Sequence, residues 1–510
     1  MATLLPYVPL SVRRSLIYYL PPVLGRFLEP FPEYLLEPYV FEVPDSEETI
    51  VLVAKEGRMA AWSSGASLDV PAIRAATFTK LVERLTFHAY PDSELVDTFL
   101  LTYRSMASPT ELLSALIRRY HVRRGTTAED AERCHTIQSR VVNVLRTWIK
   151  NYWMDFDEPS VLALLNRFVD EKIIGTDGND SLGAMLRDQI SRQQVEWRQR
   201  SIPVLSMALD VVPPTVTLES LNERLLDFAP ECVAEQVTLL RSDLFRSIPQ
   251  YEFLSKVWKK ASRTVSHPNL DRLIESFNSL SGWMVLSVLG FRRPEERAKA
   301  LKYYIKAMRR FTDLNNFDGV MCVVSAFEGA AIHRLHRSWE GVSKEKMRVY
   351  EDLRGLMSHE SSFKRYRAAL RECAPPCVPY IGLYLTDLTF ICDGNEDWYK
   401  KRGASSSSLT AAAPATPAAE TPKAEAATTP GAFPVDRPVE AERMVNFDKR
   451  RMFARAVGEI KQYQNDRYAD ITPLHGLQQL ILQVFAYAST VHENDTFEMS
   501  LEREPRQPKK

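Results

Sequence analysis

Residues 376–397, PCVPYIGLYLTDLTFICDGNED, decide how this chain reads. Pro376 and Pro379 brace the start, an apolar run of helical length follows, and the run ends in Asp393, Gly394, Glu396 and Asp397. A helix over this run places Thr386, Thr389 and Asp393 on one face, since residues three and four apart are neighbours on a helix surface. The run is either a buried core element or an arm aimed at something. Asp393 and Glu396 have the chemistry of an acid and a base, but beside a glycine-containing turn they serve better as a helix ending.

The segment that follows is different in kind. From Ala404 to Pro438 the chain reads ASSSSLTAAAPATPAAETPKAEAATTPGAFPVDRP, with repeated prolines and no apolar periodicity. Such a tract cannot bury enough surface to offset the entropy of ordering, so an insert over about residues 398–442 is expected to lack fixed structure. Directly after it, NFDKRRMFARAVGEIKQYQ (446–464) is helical again, with Phe453, Val457 and Ile460 on one face and Asn446 or Asp448 as cap. Two helical arms separated by an insert are therefore expected.

Working outward, helical periodicity dominates. TFTKLVERLTFHAY sets Leu81, Val82 and Leu85 behind Thr77 and Thr79, either of which caps a helix, and PTELLSALIRRY opens with Pro109 at a first helical position. IQSRVVNVLRTWIKNYW puts Val141, Val144, Leu145 and Trp148 on one face. These segments predict an all-helical unit over residues 72–175, followed by a connector at 176–214 whose Pro213-Pro214 pair excludes continuous helix. Beyond it, residues 215–505 carry further striped helices, with Pro230, Pro268 and Pro294 at the head of three of them. The fold class is all-α, in two helical domains. Residues 1–71 form a peripheral segment: LIYYLPPVLGRFLEPF is broken by prolines, Arg26 and Glu29, and is too short to span a bilayer.

Composition excludes several functions. The 510 residues are 45% apolar and 25% charged, with Lys+Arg and Asp+Glu balanced at 65 each, so no global field draws the chain to nucleic acid. The 6 cysteines show no CxxC pair and no zinc spacing, a pattern of free thiols in a reducing compartment, and no metal or cofactor is expected. Neither phosphate-cradling glycine motif appears, and neither HExxH nor GxSxG. A cysteine nucleophile at Cys373 or Cys377, with His333 or His359 as base, lacks any thiolate-stabilising signal, and structural cysteines are the better reading.

In several blocks the chain resembles the Ras-type guanine-nucleotide exchange factors, the Son-of-sevenless-like family. KLVERLT, DTFLLTYRSMASPTELLSALIRRY and VVNVLRTWI resemble the Ras exchanger motif; AEQVTLLRSDLFRSI, DLNNFDGVMCVVSAF, IHRLHRSWEGVS, PPCVPYIGLYLTDLTF and VNFDKRRMFARAVGEIKQYQ resemble successive blocks of the catalytic exchange domain. The resemblance implies a non-covalent catalyst of nucleotide exchange on a Ras-family small GTPase, acting through a protruding helical hairpin whose arms are the two segments above. It implies that Thr386, Thr389 and Asp393 face the GTPase's magnesium and phosphate loop, Thr389 crowding the metal and Asp393 competing with phosphate. Thr389 is smaller than the family's frequent aliphatic residue there, and Asp393 shorter than its glutamate.

The same resemblance places Ile274, Met321, Phe363 and Tyr380 in a pocket for an aromatic residue of the GTPase's second switch. Plain core packing is the rival reading, closest to even for Ile274 and Met321, while Phe363 and Tyr380 are the better candidates for exposed contact. His333 and Arg334 lie in another family block, ahead of which Phe327 and Glu328 depart from the family's hydrophobic-Asn pair; Arg334 is equally a structural ion-pair residue. Trp148 matches a position that in Son-of-sevenless itself helps form a distal GTPase site, against the simpler reading of packing. The exchanger motif is expected to brace the hairpin. The implied location is the cytoplasm, with transient visits to the membrane through peripheral recruitment and no transmembrane segment. A GTPase-binding scaffold without catalytic power is the alternative function.

Overall fold

The computed structural model describes residues 31–36, 41, 43–53, 71–122, 126–175, 179–199, 217–257, 267–399 and 443–505. Most of the N-terminal segment, the double proline at Pro213 and the tract 404–438 lie outside the described residues. The rest divides into two compact units, one drawn from Met1–Asp97, Ala107–Arg198 and Trp398–Asn446, the other from Thr98–Met106, Gln199–Asp397 and Phe447–Lys510.

The first unit contains strands β1 (Ile50–Val53) and β2 (Ala72–Ala76), then helices α1 (Phe78–Leu85), α2 (Ser93–Thr102, which continues into the second unit), α3 (Pro109–Tyr120), α4 (Ala128–Asn151), α5 (Pro159–Phe168) and α6 (Asp180–Arg198). Caps set the helix starts. Thr77 accepts from the Lys80 amide ahead of α1, and Ser108 with Glu111 forms a reciprocal capping box ahead of Pro109 on α3. Val141, Val144, Leu145 and Trp148 of α4 all face the core, as the spacing predicts. In the polar interior the Asn179 amide donates to Tyr120 Oη (2.9 Å) and Gln138 Oε1 (3.1 Å).

One element escapes the helical expectation. β1 and β2 pair antiparallel, and a two-residue strand β3 (Val445–Asn446) adds to β2 through Ala75↔Asn446 and Ala76↔Val445. On its other side Val445 bridges Trp398, and Tyr399 N–H donates to Met444 O at 2.9 Å. The two chain ends flanking residues 400–442 are thus stitched side by side.

The second unit is helical: α7 (Leu218–Leu226), α8 (Pro230–Ser247), α9 (Gln250–Val257), α10 (Pro268–Leu289), α11 (Pro294–Asp313), α12 (Phe317–Glu328), α13 (Ala330–His333), α14 (His336–Glu340), α15 (Lys344–Leu356), α16 (Lys364–Glu372), α17 (Ile381–Gly394), α18 (Phe447–Gln462), α19 (His475–Ala488) and α20 (Glu493–Arg503). Pro230, Pro268 and Pro294 sit in the first turns of their helices, where a missing N–H costs nothing. The long α10 is central and packs on α8, α11, α12 and α19. Beside it the fully buried Arg241 bonds Asp318, Ser276 Oγ and Leu273 O, so its charge is both paired and hydrogen-bonded.

Candidate functional site

Helices α17 and α18 form an antiparallel hairpin: Lys449 at the start of α18 meets the end of α17, while Tyr463, just past α18, hydrogen-bonds Tyr384 near the start of α17. Three anchors fix it. At the far end the buried Lys449 ammonium donates to Cys392 O (2.6 Å), Asn395 O (2.7 Å) and Asp397 Oδ1 (2.7 Å), a cation on the otherwise unsatisfied carbonyls of a helix C-terminus. The neighbouring Arg450, also buried, donates to Asp397 O (2.7 Å) and Ser105 Oγ (3.2 Å), and burial lowers its pKa to about 10. Midway, Arg367 of α16 holds Asp387 through two bonds of 2.8 and 2.7 Å. At the near end Tyr380 N–H donates to Tyr366 Oη (2.8 Å) and Tyr463 Oη donates to Leu370 O (3.2 Å).

With those anchors in place, one face of α17 has no structural duty. Thr386, Thr389 and Asp393 are all exposed on it. Both threonine hydroxyls bond back to their own helix, at Gly382 O (2.8 Å) and Leu385 O (2.7 Å), so no other element needs them. Asp393 has no hydrogen-bond or ion-pair partner among the described residues. Phe390, 70% exposed, completes the stripe, four residues after Thr386 and three before Asp393. Sequence reasoning passed over Phe390, although the same spacing rule that grouped the other three includes it.

Of the predicted pocket residues, Phe363 and Tyr380 are brought together, with ring centroids 6.4 Å apart, and the Phe277 ring lies 5.7 Å from that of Tyr380. Met321, 7% exposed, lines a cavity of about 430 Å³ that also touches His359, whose ring is 4.5 Å from Phe363. Ile274 is half-buried on α10, one turn before Phe277. Contrary to expectation Phe363 is largely covered, at 9% exposure, and Tyr380 half-covered, because stacking among themselves removes ring area from water. Ser361, Ser362 and Phe363 all have φ between 50 and 61°, a run of non-glycine residues in the left-handed region. Arg367, which grips Asp387, also donates to Ser362 O at 2.9 Å, tying this strained turn to the hairpin.

Residues 232–451 match the RasGEF domain and residues 72–170 the RasGEF N-terminal motif. The chain is 30% identical over 441 residues to Ras guanine nucleotide exchange factor I of Dictyostelium discoideum, covering 86% of this chain and 47% of that protein. It is 28% identical to Ras guanine nucleotide exchange factor A of the same organism (86% of this chain, 66% of that protein) and 29% identical to Protein son of sevenless of Drosophila melanogaster (85% and 26%). The chain belongs to the Ras-type guanine-nucleotide exchange factor family. It spans about half the length of the first two relatives it matches.

Within this exchange-factor fold the remaining predicted residues fall in distinct places. His333 is exposed, while Arg334 is spent on the C-terminal helix, donating to Ser500 O at 2.6 Å; its partner is a carbonyl, not a carboxylate. Phe327 is core, between Trp339 and Tyr350, and Glu328 pairs with Arg354 (2.6 Å) on the wall of the Met321 cavity. Trp148 is fully buried: its indole N–H donates to Asp155 at 2.6 Å and its ring packs on Phe156, so in this chain it is a packing residue. The Cys373 thiol hydrogen-bonds Cys377 and Leu370 O, and the bond from Cys377 lowers its pKa to about 7, a thiolate-stabilising contact that the sequence does not signal; neither thiol is bonded to a histidine among the described residues. No described helix is long and apolar enough to cross a membrane, and no group of metal-ligating side chains occurs among the described residues.

Proposed function

We propose that this chain accelerates GDP release from a Ras-family small GTPase by inserting the α17–α18 hairpin at the nucleotide and magnesium site. A GTPase holds its nucleotide through phosphate and metal contacts, so a catalyst must bind the nucleotide-free state more tightly than the loaded one. Moving that equilibrium from 1:99 to 99:1 takes about 5.5 kcal/mol of differential binding. Thr386, Thr389 and Asp393 supply the polar edge of the wedge, Asp393 being the unpaired carboxylate that repels phosphate. Ile274, Met321, Phe363 and Tyr380 receive an aromatic side chain of the second switch, and His333 extends the grip. Residues 72–175 act as the exchanger motif, 176–214 as connector, and 215–505 as the catalytic domain with the insert 398–442 at the hairpin's tip. The protein works in the cytoplasm and meets lipidated GTPases by peripheral recruitment. No bond is made or broken.

The observation that carries this reading is the exposed stripe on a helix anchored at both ends and in the middle. Its test is release of fluorescent GDP from a panel of Ras, Rap and Ral proteins, with saturable acceleration of at least one expected. The small, back-bonded Thr389 favours a second reading, a scaffold that binds without releasing nucleotide. Saturable binding with no acceleration across the panel would establish that one.

A further inference from the structure

In the first unit, the segment ahead of β1 (Phe41 and Val43 to Asp45) and residues of α1, α3 and α4 line an open cavity of about 470 Å³, large enough for a small polar ligand. Its lining carries four cations, Lys80, Arg84, Arg119 and Arg133, and three carboxylates, Asp45, Glu83 and Asp130. Every carboxylate is already engaged. Asp45 lies 3.0 Å from the Lys80 ammonium and also pairs with Arg84; Glu83 lies 2.8 Å from Lys80; Asp130 accepts from the Thr127 amide (3.3 Å) in the α4 capping box.

Two guanidinium groups, Arg119 and Arg133, have no carboxylate in ion-pair contact among the described residues, although Glu83 acts on Arg119 at longer range. Arg119 is only 4% exposed, and its sole hydrogen bond among the described residues runs from Nε to Thr86 Oγ1 at 3.1 Å. Arg119 lines the cavity, and the Phe41 ring centroid lies 5.3 Å from its guanidinium carbon. Arg133 has no ion-pair partner among the described residues. A buried cation with no ion-pair contact is costly, and a counter-charge bound beside it offsets that cost. Burial lowers the Arg119 pKa to about 10, with Glu83 opposing the fall and Arg133 adding to it, and His88 is held below its ordinary value by burial and then by Arg133, Arg119 and Arg140, against the pull of Glu83.

We infer that this cavity is an anion site in which Arg119 and Arg133 together bind a phosphate monoester. Guanidinium groups match phosphate geometry through paired N–H donors, and the buried Arg119 supplies the charge that water cannot screen. The ligand is either a soluble phosphate or the phosphorylated headgroup of a lipid, the latter giving the exchange unit an anchor independent of its GTPase.

The test uses the full chain, calorimetric titration with inositol trisphosphate, and co-sedimentation with phosphatidylcholine vesicles with and without phosphatidylinositol bisphosphate. One saturable site is expected, weakened about 10-fold by Arg119→Lys, which keeps the charge but loses the fork, and at least as much by Arg133→Glu at an exposed position. Vesicle binding that inositol trisphosphate competes away identifies the lipid as source; solution binding without sedimentation identifies a soluble phosphate. The inference is overturned by absence of saturable binding to either probe, by unchanged binding of the Arg133→Glu protein at unchanged melting temperature, or by binding of a glutamate-rich peptide in place of phosphate.

Discussion

Replacing Phe390 with alanine isolates what the exposed stripe does for a partner from what it does for the fold. The ring is 70% exposed, so it contributes little to packing, and alanine is the better helix former by roughly 0.5 kcal/mol. The folded protein should therefore keep its helical circular dichroism and its melting temperature within about 2 °C. A phenylalanine side chain carries about 200 Å² of burial-competent area, of which about 140 Å² faces water here. At about 25 cal/mol per Å², burying that area in a GTPase stabilises the complex by about 3.5 kcal/mol, less the cost of fixing the ring and imperfect fit. A net loss of 2–3 kcal/mol, or about 30- to 150-fold, is expected in kcat/KM for GDP release. A drop of less than twofold, with a GTPase the wild-type chain demonstrably serves, would refute the idea that this face meets the partner.

Other perturbations probe the supports. Lys449→Met removes three bonds from the hairpin's far end and leaves Asp397 with only the more distant Arg450 at 3.9 Å; a local loss of about 3 kcal/mol should raise amide exchange in Ile381–Gly394 and Phe447–Gln462 about 100-fold. Gly382→Ala would drive a methyl group into the Tyr380 ring, so GTPase affinity should fall about 10-fold while chain stability shifts by under about 1 kcal/mol, measured by urea unfolding beside binding. The hydrogen bond from Cys377 lowers the Cys373 pKa to about 7 against the opposing effect of burial, so alkylation of Cys373 by iodoacetamide should rise with pH through 7 as the thiolate forms. Cys377→Ala should move that midpoint back towards 9, and the buried Cys322, whose pKa burial pushes up, should stay unreactive in the native protein.

What local chemistry encodes was readable in advance. Thr77, Pro109 and the prolines at Pro230, Pro268 and Pro294 mark helix starts because caps and missing amides act within one turn, and the α4 stripe reads directly as a core face. The grouping of Thr386, Thr389 and Asp393 needed only a helical period. The burial of Phe363 did not show, because it depends on Tyr380, Tyr366 and His359 converging from other segments, and on a left-handed run at Ser361–Phe363 that carries no glycine to announce it. Lys449 looked like one more charge on an amphipathic helix; its role arises from carbonyls more than fifty residues earlier. The two-residue strand β3 is too short to leave any alternation.

The arrangement of anchors bears on how such a hairpin works. A wedge that had to be ordered on contact would spend binding energy on its own entropy, and that energy would be lost to the nucleotide-free state. Here the bonds at Lys449, Arg367 and Tyr380 hold α17 along its length before any partner arrives, and none of them uses a group from the exposed stripe. Arg367 adds a second economy, since the same guanidinium fixes the turn that presents Phe363 and the helix that presents Thr386 to Asp393. Pocket and wedge are thereby held at one spacing, so that an aromatic residue seated in the first fixes where the second falls. Loss of Arg367 should accordingly weaken exchange more than it weakens GTPase binding, because a loosened wedge still has its pocket to hold by.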